Sequence, residues 1–304
     1  MLFVKVIVTG GAGFIGSHLV DALIYKGYNV VVIDNLIAGK KENLNPKAKF
    51  HKMDIRDLEK IKPAFKGVDY VFHLAARPRV PFSVEYPAEA HTNNALGTLN
   101  VLIAAKDAKV KKIVYSSSSS VNGDQKELPL REDMIPKPKS PYALQKLIGE
   151  EYCRLFYELY GLPTVSLRYF NVYGPRLALE GAYSLVMGVF LKQKMAGEPL
   201  TIEGDGKQTR DFTHVRDVVR ANILAAESNK TGKAEIINIG AGNNVSINKI
   251  AELFGGQTIN KSPRLGDVKH TLADNKKAKK LLGWQSEVKI EEGVKELLEI
   301  FNLC

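Results

Sequence analysis

Cysteine is scarce in this chain of 304 residues, and long apolar runs are absent. Cys153 and Cys304 are its only cysteines, too few for a disulfide framework or a metal site. No apolar run approaches the ~18 residues needed to cross a bilayer. Residues 3–8 form an apolar strand where a signal peptide would begin with charge. We therefore expect a cytoplasmic protein with no metal and no membrane contact.

The net charge of +10 suggests an anionic partner. A nucleic acid would use the lysine clusters at 40–41, 111–112 and 276–280. These clusters are short, lack interleaved aromatic residues, and fall where a helix or turn should face solvent. We expect no nucleic-acid role, because a small dianionic ligand such as a sugar nucleotide fits localised arginines better.

Short β-branched runs alternate with helical patterns through the first half of the chain. Because these runs are continuously apolar, they predict a parallel sheet covered on both faces, a Rossmann-type doubly wound α/β fold. The predicted strands are 4–8, 29–33, 49–53, 70–74, 113–116 and 164–167, with helices beginning near residues 14, 58, 87 and 141.

After residue 170 the strict alternation weakens. Helices are predicted over 184–196, 216–226, 275–282 and 291–301, with strands at 200–202 and 235–239. We interpret residues 171–304 as a smaller α+β substrate region that covers the carboxyl ends of the sheet formed by residues 1–170. Some of its segments can return to the first domain.

The segment TGGAGFIGSH at 9–18 fits a dinucleotide-binding loop. Gly10, Gly13 and Gly16 permit a tight turn between strand and helix, and close approach of a pyrophosphate to the helix N-terminus. Asp34 ends the next strand, where a carboxylate can accept hydrogen bonds from both ribose hydroxyls. Because such a carboxylate repels a 2′-phosphate, we predict NAD rather than NADP.

Two further features bear on the cofactor. Lys40 and Lys41 would favour a 2′-phosphate, but a solvated turn explains them as well. Asp54 and Ile55 follow the third strand and are placed to meet the adenine. The alternative for Asp54 is a helix-capping role before residues 56–57.

Tyr142 and Lys146 are four residues apart in SPYALQKLIGEEY, so both side chains fall on one face of a helix. A lysine beside a tyrosine lowers the phenol pKa from about 10 by favouring the phenolate. The serine-rich segment YSSSSSVNG at 115–123 precedes them. Together with the glycine loop, these segments predict an enzyme that oxidises an alcohol.

Spaced motifs make the chain resemble an extended short-chain dehydrogenase/reductase of the UDP-glucose 4-epimerase family over essentially its whole length. In chain order the motifs are TGGAGFIGSH, VFHLAA, NNALGT, YSSSSSVNG, SPYALQK, RYFNVYGPR, GDGKQTRDFTHVRD and ADNKKAKKLLGW. The resemblance implies an isomerase with bound NAD and a UDP-sugar substrate. It also implies a homodimer through helices near residues 88–106 and 141–160.

The resemblance assigns a role to each member of the catalytic set. Tyr142 becomes the acid/base, Lys146 its electrostatic partner and ribose ligand, and Ser118 a hydrogen-bond donor to the reacting hydroxyl. Ser118 is selected by counting back from 121–123, where Asn122 replaces the tyrosine usual in the family. The serines on either side of it stay open as alternatives.

The glycine loop and the resemblance together imply two sets of binding residues. The cofactor residues are Gly10, Gly13, Phe14, Ile15, Gly16, Asp34, Asn35, Asp54, Ile55, Leu74, Ala75, Ala76, Asn94, Ser116, Tyr142, Lys146 and Phe170. The substrate residues are Ser118, Tyr142, Asn171, Arg210, Arg264, Asp267 and Thr271. Arginine's planar fork suits a diphosphate, and a carboxylate can accept from a ribose hydroxyl.

The residues after the catalytic serine bear on the reaction. The resemblance places an Asp-Glu pair there in dehydratases, and a Glu in decarboxylating relatives. Here Ser119 and Ser120 occupy those positions, and neither can act as a carboxylic acid. We therefore predict 4-epimerisation of UDP-glucose and UDP-galactose through a 4-keto sugar, with a UDP-glucuronate 4-epimerase or a 4,6-dehydratase as alternatives.

Thr271 bears on the breadth of substrates. It stands where strictly UDP-galactose-type enzymes have a tyrosine that narrows the sugar pocket. A threonine leaves room for a 2-N-acetyl group, so we predict that UDP-GlcNAc and UDP-GalNAc are also accepted. A neutral pocket residue is the alternative.

Overall fold

The computed structural model describes residues 4–179, 186–262 and 269–303. Arg264 and Asp267, which the resemblance assigns to the substrate, lie outside the described residues. The strands are β1 (Lys5–Thr9), β2 (Asn29–Asp34), β3 (Lys49–Lys52), β4 (Tyr70–His73), β5 (Lys112–Ser118), β6 (Thr164–Tyr169), β7 (Val172–Tyr173), β8 (Leu200–Glu203), β9 (Thr209–Asp211), β10 (Thr213–His214), β11 (Lys233–Ile239), β12 (Asn244–Ser246) and β13 (Thr258–Lys261).

Helices lie between and after these strands. They are α1 (Phe14–Tyr25), α2 (Leu58–Ile61), α3 (Val80–Glu85), α4 (Pro87–His91), α5 (Gly97–Asp107), α6 (Pro141–Tyr160), α7 (Val186–Met195), α8 (Val215–Glu227), α9 (Ile247–Phe254), α10 (Lys276–Leu282) and α11 (Ile290–Ile300). A π-helical turn, Thr92–Leu96, joins α4 to α5. In the part of the chain that the structure describes, no helix is long and apolar enough to span a bilayer.

The main sheet of the described chain has seven parallel strands in the order β11-β6-β5-β4-β1-β2-β3. At its centre, Val6 of β1 pairs with Val30 of β2 and with Tyr70 of β4. Because the strand order reverses beside β1, the loops after β1 and β4 diverge and leave a crevice at the carboxyl edge. The predicted Rossmann-type, doubly wound fold is confirmed.

Both faces of the sheet are buried, which explains why its strands are continuously apolar. Val6 and Val8 pack with Leu19 of α1 and with residues of α8 on one face. Ile7 packs on the other face, in a cluster that includes Phe156 of α6 and residues of α5. This double cover holds the carboxyl edge of the sheet rigid beneath the loops that follow it.

A third core lies in the part of the chain after residue 170. Phe190 of α7, Phe254 of α9 and Leu297 of α11 belong to it, and the two phenyl rings meet edge to face at 5.7 Å. From this part β11 returns to pair with β6 at the edge of the main sheet. The division of the chain at residue 170 stays a prediction.

Lys112 contradicts the expectation that all the lysine clusters face solvent. Its side chain is buried, and its ammonium donates to the carbonyls of Ala225 and Ser228 and to the Thr231 hydroxyl at 3.2, 2.7 and 3.1 Å. Ala225 lies in the last turn of α8 and Ser228 is the C-cap, where carbonyls lack intrahelical donors, so a cation satisfies them. The neighbouring Lys111 is exposed, as expected.

Candidate active site

The loop between β1 and α1 packs closely against the residues that follow β4 and has open space beside Gly13. Gly10 has a φ of +74°, and a Cβ there would lie 2.7 Å from the Ala75 nitrogen. A side chain on Gly16 would collide with the Gly10 carbonyl. At Gly13, among the described atoms, a Cβ would meet the Gly10 oxygen alone, at 3.2 Å. Space is therefore available in front of the amides that begin α1.

This loop has the features of a dinucleotide site. Helix α1 begins after Gly13, which offers no side-chain cap, and its first turn has no acidic residue. The free amides and the helix dipole therefore fit an anionic pyrophosphate. Asp34 ends β2 beside the loop, where its carboxylate accepts from the Ala12 and Leu36 amides at 3.0 and 2.8 Å. Burial raises the Asp34 pKa and these two hydrogen bonds oppose that rise.

Asp54 is held by its neighbours rather than by a helix. It accepts from the Asn35 amide at 2.9 Å and forms an ion pair with Arg56 at 2.7 Å. The hydrogen bond from Arg56 lowers the Asp54 pKa to about 2. The N-cap of α2 is Asp57, which accepts from the Lys60 amide, so Asp54 does not serve that role. Asn35 and Asp54 are thus brought together beyond the ends of β2 and β3.

Tyr142 and Lys146 lie at the beginning of α6, where local sequence fixes their position. Ser140 is the N-cap and accepts from the Ala143 amide at 3.2 Å, and proline follows at the first helical position. The buried Lys146 ammonium donates to the Ser116 carbonyl at 2.6 Å. It lies 5.9 Å from the centre of the Tyr142 ring. The predicted pair therefore shares one helix face and points toward the end of β5.

The pKa of Tyr142 differs from the sequence expectation. Burial raises it to about 12, and a hydrogen bond with Ser118 partly opposes this rise. Burial also lowers the Lys146 pKa to about 8, while the charge of Glu150 opposes that change. The prediction that the lysine beside Tyr142 lowers the phenol pKa is wrong, because desolvation by burial has the largest effect on this phenol and raises its pKa. The protein by itself holds Tyr142 as a neutral phenol.

The structure separates the candidate serines. Ser118 is the serine whose side chain acts on Tyr142, where it lowers the pKa of the phenol against the effect of burial. It also accepts from the amide and the hydroxyl of Ser120, at 3.2 and 2.9 Å. The hydroxyl of Ser117 instead donates to Glu150 at 2.5 Å. Ser120, which the sequence identified only as a missing carboxylate, thus supports Ser118.

The described substrate residues cluster near the carboxyl edge, on three separate segments of the chain. Asn171 follows β6 and has a φ of +31°. Its amide donates to the Asp211 carbonyl at 3.0 Å and to the Thr271 hydroxyl at 3.4 Å. Arg210 precedes Asp211 on β9 and donates to the Thr209 and Lys269 carbonyls at 3.0 and 3.2 Å. Asn171, Arg210 and Thr271 are therefore brought together.

Comparison with known proteins identifies the family. Residues 6–240 match the model of the NAD dependent epimerase/dehydratase family. The chain belongs to this family. A putative UDP-glucose 4-epimerase of Methanocaldococcus jannaschii is 43% identical over 303 residues, covering 96% of this chain and 97% of the relative.

Two solved structures of the epimerase family extend this similarity to the fold. A UDP-glucose 4-epimerase of Thermotoga maritima, solved with UDP-glucose, is 42% identical with a TM-score of 0.93, and the alignment covers 98% of each chain. A UDP-N-acetylglucosamine 4-epimerase of Methanobrevibacter ruminantium is 41% identical with a TM-score of 0.93, covering 99% of each chain. The predicted family, isomerase class and NAD cofactor are confirmed.

Sequence reasoning missed a buried network behind this epimerase-family site. His73 ends β4, and its ring nitrogens bond the hydroxyls of Thr9 and Thr98 at 2.7 and 2.9 Å. Asn94 donates to Gln145 of α6 at 2.8 Å. The motifs VFHLAA and NNALGT contain His73, Thr98 and Asn94. Polar residues among apolar neighbours in these motifs were the signal from which a buried network could have been predicted.

Phe170 differs from the other cofactor candidates in its surroundings. Its side chain is fully buried in a small cluster with Leu130 and Ala273. Its amide donates to the Ile239 carbonyl at 3.1 Å. Leu74, Ala75 and Ala76, in contrast, follow β4 directly, and the backbone of Leu74 and Ala75 packs closely against Gly10.

Proposed function

We propose that this protein is a UDP-sugar 4-epimerase that interconverts UDP-glucose and UDP-galactose with NAD retained in its site. The observation that carries this proposal is the position of the Tyr142 phenol, which lies beside the buried Lys146 ammonium at the end of β5 and whose pKa responds to the Ser118 side chain. A sugar hydroxyl that reaches the phenol also reaches the serine. Family membership supplies the cofactor that such a base needs.

Tyr142 is the group that moves the proton. Its phenolate oxygen takes the proton of O4 when C4 is oxidised, and returns a proton to O4 when C4 is reduced on its opposite face. Ser118 hydrogen-bonds to O4 and holds it against the phenol in both directions. NAD, when bound, supplies the hydride acceptor and a positive charge near the phenol.

Lys146 supports the charged form of this base. Because burial keeps the Tyr142 pKa at about 12 in the protein alone, the phenolate needs cations close to it. The Lys146 ammonium is one such cation, and its hydrogen bond to the Ser116 carbonyl fixes its position. The lysine therefore acts through the electrostatics of the phenol and, by resemblance, as a ribose ligand.

The serine-rich segment at 115–123, here called the serine loop, favours epimerisation over elimination. Ser119 and Ser120 stand where dehydratases have carboxylates, and the hydroxyl of Ser120 is engaged with Ser118. At these two positions the chain has no carboxylic acid that could help to expel a hydroxyl group from a 4-keto sugar. UDP-glucuronate remains the alternative substrate, and a 4,6-dehydratase the alternative enzyme.

We propose that the cofactor lies across the crevice between the loops after β1 and β4. The amides at the start of α1 would hold its pyrophosphate, and Asp34 its adenosine ribose. The remaining contacts are proposed for Gly10, Gly13, Phe14, Ile15, Gly16, Asn35, Asp54, Ile55, Leu74, Ala75, Ala76, Asn94, Ser116, Tyr142, Lys146 and Phe170.

The substrate's UDP group is proposed to lie against Asn171 and Arg210, with Arg264 and Asp267 completing the site. Thr271 bears on the sugar: its hydroxyl accepts from the Asp211 amide at 3.1 Å and is turned toward the backbone. A small side chain held in this way supports acceptance of a 2-N-acetyl group. The relative named a UDP-N-acetylglucosamine 4-epimerase also supports it.

A homodimer is proposed through the helices near residues 88–106 and 141–160. Several large apolar side chains in these two segments are exposed, which is typical of surfaces that bind protein. They are Leu96, Leu144, Leu159 and Tyr160. Sedimentation equilibrium should give twice the chain mass, and Leu144→Asp should halve it; a monomeric wild type would contradict the dimer. Cytoplasmic location stays a prediction.

A panel of UDP-hexoses tests the function. The purified protein is incubated with UDP-glucose, UDP-galactose, UDP-GlcNAc or UDP-glucuronate, without added NAD, and the products are identified by NMR and mass. We expect interconversion of UDP-glucose with UDP-galactose and of UDP-GlcNAc with UDP-GalNAc. Conversion of UDP-glucuronate alone, or loss of water, would contradict the proposal.

The variant Tyr142→Phe provides the matched control. It removes the acidic hydroxyl and retains the buried ring, so folding should be preserved. We expect kcat to fall by about 10²- to 10⁴-fold with bound NAD unchanged. A variant that retained wild-type kcat would exclude Tyr142 as the base.

A further inference from the structure

A buried ion pair lies behind the serine loop. Arg168 of β6 donates from Nε to Glu150 Oε1 at 2.9 Å and from Nη2 to Oε2 at 2.8 Å. The two side chains are 1% and 0% exposed. Desolvation of a buried pair commonly cancels its attraction, so such a pair is weak evidence for a role in stability. Its contacts indicate another role.

The pair holds the chain on both sides of Ser118. Before it, the Ser117 hydroxyl donates to Glu150 Oε1 at 2.5 Å. After it, Arg168 Nη1 donates to the Asn122 side-chain oxygen at 3.0 Å, and the Asn122 amide donates to the Ser119 carbonyl at 3.2 Å. Ser118 therefore sits between two anchored residues, Ser117 and Ser119, which limits the movement of its hydroxyl.

Asn122 is the residue at which this chain departs from the family that it resembles, where a tyrosine is usual. The short side chain of Asn122 forms hydrogen bonds with Arg168 and with the Ser119 carbonyl of the serine loop at the same time. Asn122 therefore connects the ion pair to the Ser119 carbonyl, and the tyrosine that is usual at this position has no side-chain amide to make the same connection.

Glu150 also lies one helical turn after Lys146 on α6, on the same face. Its charge raises the pKa of Lys146 against the effect of burial. Glu150 in turn forms its ion pair with Arg168. The groups that face Lys146 are Tyr142, Glu150 and Cys153 on its own helix, Tyr115 on β5 and His73 on β4. Among these described groups, only Glu150 has a carboxyl group.

We propose that Glu150, clamped by Arg168, is a positioning residue of the active site that anchors the serine loop and supplies the counter-charge for Lys146. Its effect on turnover rests on the proposed 4-epimerase function. Its effect on Lys146 is a property of the folded chain and is measured without substrate.

The variant Glu150→Gln tests both parts, with Glu151→Gln as the control. Glu151 is the next residue on the helix and forms an exposed pair with Arg154. In the NAD-containing protein we expect Glu150→Gln to lower kcat on UDP-galactose by about 10- to 100-fold, because small displacements at reacting groups cost this much. KM should change little, and Glu151→Gln should behave as wild type.

Lysine NMR gives the second measurement. With ¹³Cε-labelled lysine, the Lys146 signal is assigned by its loss in Lys146→Met and titrated in each variant. We expect the Lys146 pKa to fall by about one pH unit in Glu150→Gln and to stay constant in Glu151→Gln. An unchanged titration would overturn the counter-charge role, even if the wild type proved inactive on every UDP-hexose, a result that would count against the proposed function alone.

Glu150→Gln leaves a buried arginine unpaired, so a double variant separates positioning from folding. Glu150→Met with Arg168→Leu removes both charges, a change that folded proteins commonly tolerate. A purely structural pair predicts that this variant recovers wild-type kcat. We expect it to fold, to retain NAD and to keep the reduced kcat, because the serine loop has lost its anchor. Recovery of wild-type kcat would overturn the anchoring role.

Discussion

Gly10 shows how a single residue determines whether the cofactor loop can form. Two constraints act on it: a φ of +74° and contact with the backbone of Ala75. Gly27 has a similar φ of +83°, but no described atom lies within 4 Å of the Cβ position. Alanine substitutions at Gly10 and Gly27 therefore separate the effect of backbone strain from the effect of crowding in the loop.

We predict that Gly10→Ala loses bound NAD and that Gly27→Ala does not. Both substitutions introduce backbone strain of about 1–2 kcal/mol. Only the first also pushes the glycine loop away from the loop after β4. Bound nucleotide released by heat denaturation gives the NAD content of each variant, and equal NAD in both would contradict this account of the loop.

His73 links stability to pH. Burial, followed by the nearby charge of Lys146, lowers its pKa from 6.5 to about 3. Between these pH values the unfolded chain binds a proton that the native protein does not. The unfolding free energy contributed by the neutral ring is therefore complete above pH 6.5 and declines as the pH falls toward 3.

We predict a difference of about 2 kcal/mol between wild type and His73→Gln in the stability lost from pH 6.5 to pH 5. The wild type should lose more, because glutamine does not titrate. Urea unfolding at fixed protein concentration measures this loss, with His91→Gln, at an exposed position, as the control. Parallel pH profiles for wild type and His73→Gln would refute the link.

At the scale of single elements, Lys112 ties the end of α8 to the first residue of β5. Its ammonium occupies three acceptors there. The sequence could not distinguish it from Lys111, since both are lysines before an apolar run. The difference arises from strand register, because Lys112 pairs with Tyr70 inside the sheet and Lys111 precedes the strand.

Lys112→Met should lower the unfolding free energy by about 2 kcal/mol, because buried carbonyls lose a charged donor. Lys111→Met should change it by less than about 0.5 kcal/mol, since its ion pair with Asp69 is exposed. Thermal and urea unfolding of the two variants provide the comparison. Similar losses of unfolding free energy in the two variants would mean that the hydrogen bonds from Lys112 to the end of α8 do not stabilise the protein.

Elements with strong local signals were predictable. The glycine loop and the Tyr142 helix begin where turn and capping residues place them. Helix α9 was missed, although Ile247, Ile250 and Phe254 follow helical spacing after the Ser246 cap. Eight residues with three polar positions gave too short a pattern to separate a helix from the surrounding loops.

At the scale of the whole molecule, the site depends on contacts between distant segments. Asn171, Asp211 and Thr271 are joined by hydrogen bonds across 100 positions of sequence. Periodicity gives no information on such contacts, and only the resemblance indicated that they belong to one site. An arginine beside a strand end is expected to pair internally, but the partner of Arg168 could not be predicted, since the Glu150–Arg168 pair needs the register between α6 and β6.

The fate of the hydrogen at C4 distinguishes 4-epimerisation from other reactions of a UDP-sugar. Epimerisation through a 4-keto sugar requires that this hydrogen leaves C4 and returns to its other face within one turnover, while the proton on O4 passes through Tyr142. UDP-galactose deuterated at C4 should therefore yield UDP-glucose with deuterium still at C4, in ordinary water and without added NAD. Loss of the label to solvent, or no conversion by the NAD-containing protein, would contradict the account.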